Sequence, residues 1–331
     1  MRIWDNGPDT NRLHCANTHT IYPVTGYLHI LNQLLATALA RQPRARLARH
    51  AEYIARRQNP DGGFSGRQGE SDLYYTAFAL RALIILNALT PDRAAAAGQF
   101  LRASLTSQAS IVDLFSLLYG CLVAHAGGGL DILADCPADW PERTTLLFES
   151  LRTKDGGYAK APGAASGSTY YTFLVTLCYQ MLDRELPDKD HLLQFIMSRR
   201  RDDGGFVEIP PMRRSGTNPT AAGIGILQLL KQGDLATAET QPAIDFLARM
   251  PSPEGGLRAN NSIPLADLLS TFTGCWTLDQ LGALNRIDRP QALAYVNSLE
   301  ENNGGFRAGL WDQEIDVEYT FYGLGSLALL T

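Results

Sequence analysis

The first limits on this 331-residue chain come from what it lacks. Its five cysteines are odd in number and scattered, with no Cys-x-x-Cys pair, so no disulfide framework is expected. They read as reduced thiols, the state of a cytoplasmic protein. Basic residues show no excess: 29 Lys and Arg stand against 34 Asp and Glu, a net charge of −5 with no basic stripe. Nucleic acid is therefore not the expected partner. No apolar run approaches the roughly 18 residues of a membrane helix, so no membrane span is expected. The first thirteen residues mix Asp, Asn, Arg and Pro without an apolar stretch, and no secretory signal is expected there. What remains is ordinary: 45% hydrophobic and 19% charged residues, in a chain long enough for about two average domains and a sizeable core.

A repeat then decides the organisation. Gly-Gly followed by an apolar residue recurs as DGGF (61–64), DGGY (155–158), DGGF (203–206), EGGL (254–257) and NGGF (303–306). The first glycines stand at 62, 156, 204, 255 and 304, in steps of 94, 48, 51 and 49. The step of 94 holds two units, and the stretch 104–126 fills the gap: Val112-Asp113-Leu114-Phe115 resembles Ser71-Asp72-Leu73-Tyr74 without the glycine pair. Six units of about 48 residues follow.

Each unit places a charged amphipathic helix before its glycines, as in 44–57, 188–201, 241–250 and 290–301. The glycines stop that helix and make a tight turn. After a loop comes a helix apolar nearly all round: 72–89, 168–182, 220–230, 267–281 and 316–330. A helix apolar on every face is buried on every face. Six alternating pairs predict an all-α fold, an (α/α)6 toroid with six inner and six outer helices. An open solenoid is the alternative, but its ends usually carry polar capping repeats, and the last unit here is among the most regular. A further apolar helix is expected over 21–39, and a long loop over 127–139. The whole chain, 1–331, reads as one domain.

The units GGFSGRQGESDLYYTAFALRAL (62–83) and GGFRAGLWDQEIDVEYTFYGLGSLALL (304–330) resemble the prenyltransferase/squalene-cyclase repeat, and most of all the β subunit of protein prenyltransferases of the Rab geranylgeranyltransferase type. The resemblance covers nearly the whole chain, weakest in the second unit. A threonine recurs at the head of five inner helices: Thr76, Thr172, Thr220, Thr271 and Thr320. Four residues earlier stand Asp72, Ser168, Gly216, Asp267 and Asp316, with Asp113 in the degenerate unit. An Asp at a helix start is first of all an N-cap.

The resemblance implies a zinc held by Asp and Cys of the fifth unit and His of the last, which turns a substrate thiol into a thiolate. Asp267 falls on that Asp, but Leu269 takes the cysteine position and Tyr319 the histidine position. The basic groups that the family uses for a diphosphate are also replaced, by Asn261 and Pro264. Arg213, Arg214 or Arg258 could supply substitute charge, at no matching spacing. Zinc is not expected, magnesium is left open without support, and no other cofactor is implied. His14-Cys15-x3-His19 gathers three ligand types and is read as solvated side chains. Cys121, Cys178 and Cys275 read as small core residues.

Two features of the ring mouth remain. One is an acidic, tyrosine-rich rim: Asp72, Asp113, Asp267, Asp316 and Glu318 with Tyr74, Tyr75, Tyr170, Tyr171, Tyr319 and Tyr322. The other is a row of small residues three places after the aligned threonine: Ala79, Gly120, Gly223, Gly274 and Gly323. It either leaves the middle of the ring open or allows close packing. An open cavity walled by Phe78, Phe115, Phe173, Phe272, Trp276 and Phe321 would suit an isoprenoid.

The expected function is therefore a divergent isoprenoid-handling member of that superfamily, binding a prenyl-type apolar molecule in the central cavity without zinc-dependent thiol transfer. Tyr75, Asp72, Tyr171, Asp267, Trp276, Tyr319 and Tyr322 are the candidate substrate contacts. An acid-initiated terpene cyclase is the first alternative: Asp316-Val317-Glu318-Tyr319 resembles in place the DxDD motif of such cyclases, with Glu318 as proton donor and Asp316 beside it. A buried carboxyl stays protonated more readily, and aromatic faces stabilise a carbocation. A non-catalytic toroid binding a lipid or a protein is the second, with a helical partner subunit among the partners considered. A carbohydrate-active toroid with paired carboxylates is the weakest.

Overall fold

The computed structural model describes residues 26–106 and 110–331. Six helices form the inner layer: α3 (Leu73–Ile85), α5 (Ile111–Gly128), α7 (Thr169–Met181), α9 (Thr217–Leu230), α11 (Leu268–Gln280) and α13 (Val317–Leu330). Each packs against the next, and α13 packs against α3, so the ring is closed. The outer helices are α2 (Arg44–Ala55), α4 (Pro91–Ala103), α6 (Trp140–Ser150), α8 (Lys189–Ser198), α10 (Thr237–Leu247) and α12 (Arg289–Ser298). They lean on the outside of the ring, α2 on α3, α4 on α5, α8 on α9 and α12 on α13. The toroid expected from the repeat is the observed fold. The extra helix, α1 (Tyr27–Leu39), packs against α3 and α13.

The glycine pairs explain how one unit joins the next. The first glycine of each pair has φ between +88° and +104°, a conformation that a side chain rarely tolerates. A Cβ on Gly62 would stand 1.9 Å from the Ala96 carbonyl oxygen of α4, and one on Gly304 would stand 2.4 Å from the Arg49 carbonyl of α2. Each turn thus docks on the outer helix of the following unit, and the last turn docks on the first. The aligned threonines hold these turns. Thr76, Thr172, Thr220, Thr271 and Thr320 accept, through Oγ1, the backbone N–H of Phe64, Tyr158, Phe206, Leu257 and Phe306 at 2.9–3.3 Å.

The seam between last and first units carries extra polar clamps. Glu300 receives Arg46 at 2.5 Å, Arg49 at 3.1 Å and the buried His50 at 3.1 Å. Burial works against that carboxylate, yet His50 and Arg46 hold it down to about 2. His50 Nδ1 accepts the Gly305 N–H at 3.0 Å, and its ring stacks on Phe306. In this last unit β1 (Phe306–Arg307) and β2 (Ile315–Asp316) pair as a short antiparallel ladder.

One open alternative is decided and three expectations are corrected. The row of small residues makes room for packing rather than for a cavity: a Cβ on Gly323 would stand 2.3 Å from Phe306, on Gly223 2.9 Å from Phe206, and on Gly274 2.4 Å from Leu257. These glycines face the apolar residue of their own turn. In the degenerate unit Ser110, not Asp113, caps α5; Ser110 Oγ accepts the Asp113 N–H at 3.2 Å, and Asp113 lies in the first turn. The same helix runs to Gly128, so the loop expected from residue 127 begins later and contains a short 3-10 turn, Leu133–Asp135. Finally, α5 is 18 residues long with mean hydropathy 1.5, enough by length and composition to cross a membrane; 61% of it is buried, as an inner helix packed against α3, α4 and α7. The start of the extra helix (21–25) and His14-Cys15-x3-His19 lie outside the described residues.

Candidate functional site

The inner helices all begin at one end of the ring, where the capping residues meet the loops of neighbouring units. Asp72 accepts the N–H groups of Tyr74 (2.7 Å) and Tyr75 (3.2 Å). Asp267 accepts the Ser270 N–H at 2.7 Å and its hydroxyl at 2.9 Å. Asp316 accepts the Tyr319 N–H at 2.8 Å. The N-cap expectation holds at all three, and Asp72, exposed, is occupied with capping alone.

Arg67, from the first unit's loop, reaches across the seam to Asp312, Glu314 and Asp316. It sits closest to Asp312; burial opposes ionisation there, but the Glu314 N–H and Arg67 hold this carboxyl below its usual range. Asp316, 3.3 Å from Arg67 and 3% exposed, goes the other way: burial raises it, against the Tyr319 N–H and Arg67. Burial also raises Asp267, against its Ser270 bonds.

Glu318, two residues past the cap, does not meet Arg307, which pairs with Glu301 at 3.0 Å. It receives the Tyr74 hydroxyl at 2.6 Å. Burial raises its carboxyl, while the hydroxyls of Tyr74 and Tyr322 favour the ionised form. Tyr75 stands by these acids, its phenol raised by burial and then by the charges of Asp316 and Glu318. Tyr319 is pushed up to about 12 by burial and by Glu318 and Asp267. Tyr322 is buried and pushed up strongly.

Tyr171 accompanies its neighbour Tyr170 at 5.5 Å, but Tyr170 is the one that feels Glu318; burial and then that charge push it to about 12. It is 40% exposed all the same. The sequence places Tyr170 on the rim but not among the candidate contacts, although it heads α7 at the position that Tyr74 holds in α3, two residues past each cap, and that register was the available signal.

Below the mouth the aromatics fill rather than wall the ring. Phe78 meets Phe321 at 5.6 Å and Tyr322 at 5.3 Å, and Phe272 meets the same two at 5.5 and 5.6 Å. Trp276 is not a free wall either. Its Nε1 donates to the Tyr27 hydroxyl at 2.8 Å, which donates on to Gln280 at 3.0 Å. The Tyr27 N–H donates to Gln180 of α7 at 2.7 Å, and the ring lies edge-on to Phe173. Because α7 and α11 are separated by α9, a residue touching both lies across the lumen. Helix α1 therefore closes the base of the ring. Beside it a cavity of about 360 Å³ opens, lined by Leu28, Asn32, Ile84, Tyr119, Leu122, Met181 and others from α1, α3, α5 and α7.

The zinc donor set does not fit: both Asp267 oxygens are taken by Ser270, and Leu269 and Tyr319 offer neither thiolate nor imidazole. Among the described residues no group of three or more His, Cys, Asp or Glu could hold a metal ion. Cys121, Cys178 and Cys275 are fully buried, and burial raises all three thiols. Arg258 is spent on the Met250 and Arg249 carbonyls, and Arg214 bonds Ser262. On the mouth loops Met212, Ile263, Leu265, Leu310 and Trp311 are exposed.

The family model of the prenyltransferase alpha-alpha toroid domain matches residues 10–206, 97–257 and 220–331. The chain belongs to this family. Among solved structures, protein geranylgeranyltransferase-I of Candida albicans, complexed with GGPP, is similar at TM-score 0.64 and 16% identity, over 86% of this chain and 90% of that one. A type II terpene cyclase from Scytonema, complexed with geranylgeranyl dihydroxybenzoate, is similar at 0.58 and 12%, over 92% and 98%. An alpha-1,6-mannanase of Salegentibacter is similar at 0.58 and 15%, over 91% and 99%. At these identities the likeness is one of fold. No curated protein sequence matches.

Proposed function

We propose that this toroid handles an isoprenoid, taking a prenyl-type apolar molecule into its lumen without zinc-dependent transfer to a thiol. The observation that supports it most is the placement of Glu318, a carboxyl raised by burial and held by Tyr74, beside the ring cluster of Phe78, Phe321, Tyr322 and Phe272. The toroids of similar fold that carry GGPP and geranylgeranyl dihydroxybenzoate suggest the substrate class. No cofactor is proposed, since the donor set at the family's metal position cannot make a site of about three protein ligands.

In the catalytic form of this reading Glu318 is the acid. Its proton passes to an alkene carbon, the charge moves to the more substituted carbon, and the faces of Phe78 and Tyr322 stabilise it. The Tyr74 hydroxyl then stabilises the carboxylate left behind. Asp316 supports Glu318 by position rather than as a donor, being committed to the Tyr319 N–H and Arg67. A non-catalytic toroid is the second reading, favoured by one observation: Asp72, Asp267 and Asp316 all spend oxygens on helix caps. A helical partner subunit would dock on the exposed apolar mouth loops.

The test is Glu318→Gln, assayed for cyclised products from geranylgeranyl substrates. The expected result is turnover in the wild type and a loss of about 10²–10⁴-fold in the variant. Equal turnover removes Glu318 from the chemistry. Prenyl binding without turnover in the wild type selects the non-catalytic reading.

A further inference from the structure

Large apolar side chains that face solvent are not spread evenly over the ring. Among the described residues ten are exposed, and six of the ten lie on the mouth loops of three successive units: Ile209, Met212, Ile263, Leu265, Leu310 and Trp311. The loops of the first and third units, 65–71 and 159–167, carry no large apolar residue. Scattered exposed hydrophobics need no explanation, but a group of them marks a surface that meets something else.

The three loops are neighbours. The Thr217 N–H donates to the Ala259 carbonyl at 2.8 Å, and the Leu268 N–H to the Ala308 carbonyl at 2.8 Å. Each loop shows its apolar residues on a closed turn. The N–H of Met212 donates to the Ile209 carbonyl at 3.1 Å, that of Ile263 to Asn260 at 3.3 Å, and that of Asp312 to Gly309 at 3.1 Å. Arg201 pins the first turn, donating to the Pro210 and Met212 carbonyls at 3.0 and 3.2 Å. Trp311, 55% exposed, is tied to the fifth unit's loop by its Nε1, which donates to the Ala266 carbonyl at 3.4 Å.

Charge follows the same division. Arg213 and Arg214 are exposed beside Met212; Arg214 donates to the Ser262 hydroxyl, and neither joins an ion pair among the described residues. No acidic residue lies in 209–214 or 260–265. In the sixth loop Asp312 and Glu314 are held by Arg67 of the first unit. The unpaired charge beside the apolar tips is positive.

We propose that the loops of the fourth, fifth and sixth units seat the ring on an anionic lipid surface, with the apolar tips below the headgroups and Arg213 and Arg214 on their phosphates. A tryptophan among aliphatic tips suits a bilayer interface, where its ring is apolar and its N–H polar. Arginines beside it gain from anionic headgroups. A helical partner is the alternative occupant, but it needs a groove for anchors at i, i+3, i+4 and i+7, and three separate turn tips form none. On this surface the mouth opens beside lipid, from which an apolar molecule can pass into the lumen. That consequence rests on the function proposed above; the surface does not.

The experiment is flotation of the full chain with vesicles of phosphatidylcholine, alone or with about 30% phosphatidylglycerol, together with tryptophan emission. Wild-type protein should bind the anionic vesicles at least about tenfold more tightly than the neutral ones, and less tightly as salt rises. Its emission should shift to the blue on binding, and Trp311→Phe should remove that shift. Trp311→Ala and Ile263→Ser should each weaken binding about three- to tenfold. Arg213→Gln with Arg214→Gln should bring anionic vesicles down to the neutral level. Leu146→Ser, which removes a still more exposed apolar residue from α6, should change nothing. All these side chains are exposed, so each variant is expected to fold. Absence of binding to anionic vesicles overturns the proposal. So does binding that ignores both Trp311→Ala and Ile263→Ser, that falls equally with Leu146→Ser, or that is blind to lipid charge. Self-association without vesicles, reversed by Trp311→Ala, would assign the loops to a protein interface instead. Vesicle binding as expected, with no binding or turnover of a prenyl probe, would keep this surface and discard the isoprenoid.

Discussion

The two ends of the ring are built from the same inner helices and treat polar groups in opposite ways. At the mouth, helix starts and loops bring Asp267, Asp316 and Glu318 among tyrosines, and burial raises all three carboxyls. At the base, α1 is held by neutral groups: Tyr27 with Trp276, Gln280 and Gln180, and Asn32 with Tyr119. Burial pushes the Tyr27 phenol up to about 12, so this network carries no charge at ordinary pH. The contrast follows from the helices themselves. Helix starts offer free N–H groups that hold carboxylates. The lower ends offer carbonyls and are covered by α1, so neutral donors are the cheaper way to close them. The acids gathered among tyrosines therefore lie at the mouth.

Breaking the base should have the largest effect. Tyr27→Ala removes a buried ring, its edge contacts with Phe173 and Trp276, and the hydroxyl that satisfies Trp276. We expect a loss of about 3–5 kcal/mol in denaturant unfolding. Because every lost partner is neutral, that loss should stay flat from about pH 4 to 8.

The mouth end should respond to pH, with two signs. Glu300 is lowered in the folded protein from 4.5 to about 2, so its contribution is full above the unfolded value and disappears as pH falls towards 2. Glu300→Gln should cost on the order of 2–3 kcal/mol at neutral pH and nothing near pH 2. Glu318 is raised, so its contribution is full below the ordinary carboxyl range and is lost as pH rises through the folded value. Glu318→Gln should therefore match the wild type in acid and exceed it in stability near neutrality. Unfolding free energies of both variants across the acid range check the two slopes; parallel slopes would erase the distinction.

A smaller effect sharpens the tyrosine's role. Tyr74→Phe leaves the Glu318 carboxyl without its 2.6 Å donor. It should cost about 1–2 kcal/mol and move the Glu318 carboxyl further up, because the Tyr74 hydroxyl favours the ionised form. An NMR titration of Glu318 in both proteins measures the shift. Least of all should follow from Asp72→Asn, which keeps an equally good cap on an exposed residue. A thermal unfolding change within about 0.5 kcal/mol is expected.

Much of the ring was legible in the sequence because its devices are local. A glycine pair followed by an apolar residue needs only its own turn, and the threonine fourteen residues after Tyr158, Phe206, Leu257 and Phe306 bonds that turn's N–H. Repeat length, helix alternation and the caps at Asp72, Asp267 and Asp316 follow from such short-range rules. Reading the glycine row as either space or contact required knowing what lies opposite; Phe206, Leu257 and Phe306 occupy that space from their own turns. Ser110 as the cap of α5 was hidden because the second unit has lost the glycines that set the register elsewhere.

What depended on the closed ring was every meeting between residues far apart in sequence. Arg67 reaches Asp316 and Tyr74 reaches Glu318 only because the last unit returns to the first. Trp276 is withdrawn from the cavity only because α1 crosses the base and offers Tyr27. Arg81 reads in sequence as one more residue of an apolar helix, and its burial among Phe78, Tyr119 and Phe321 is set by α5 and α13 packing on either side of α3. Periodicity and turn chemistry are short-range and can be read along the chain; burial, and with it the state of each charged group, is a property of the lumen that six units enclose together.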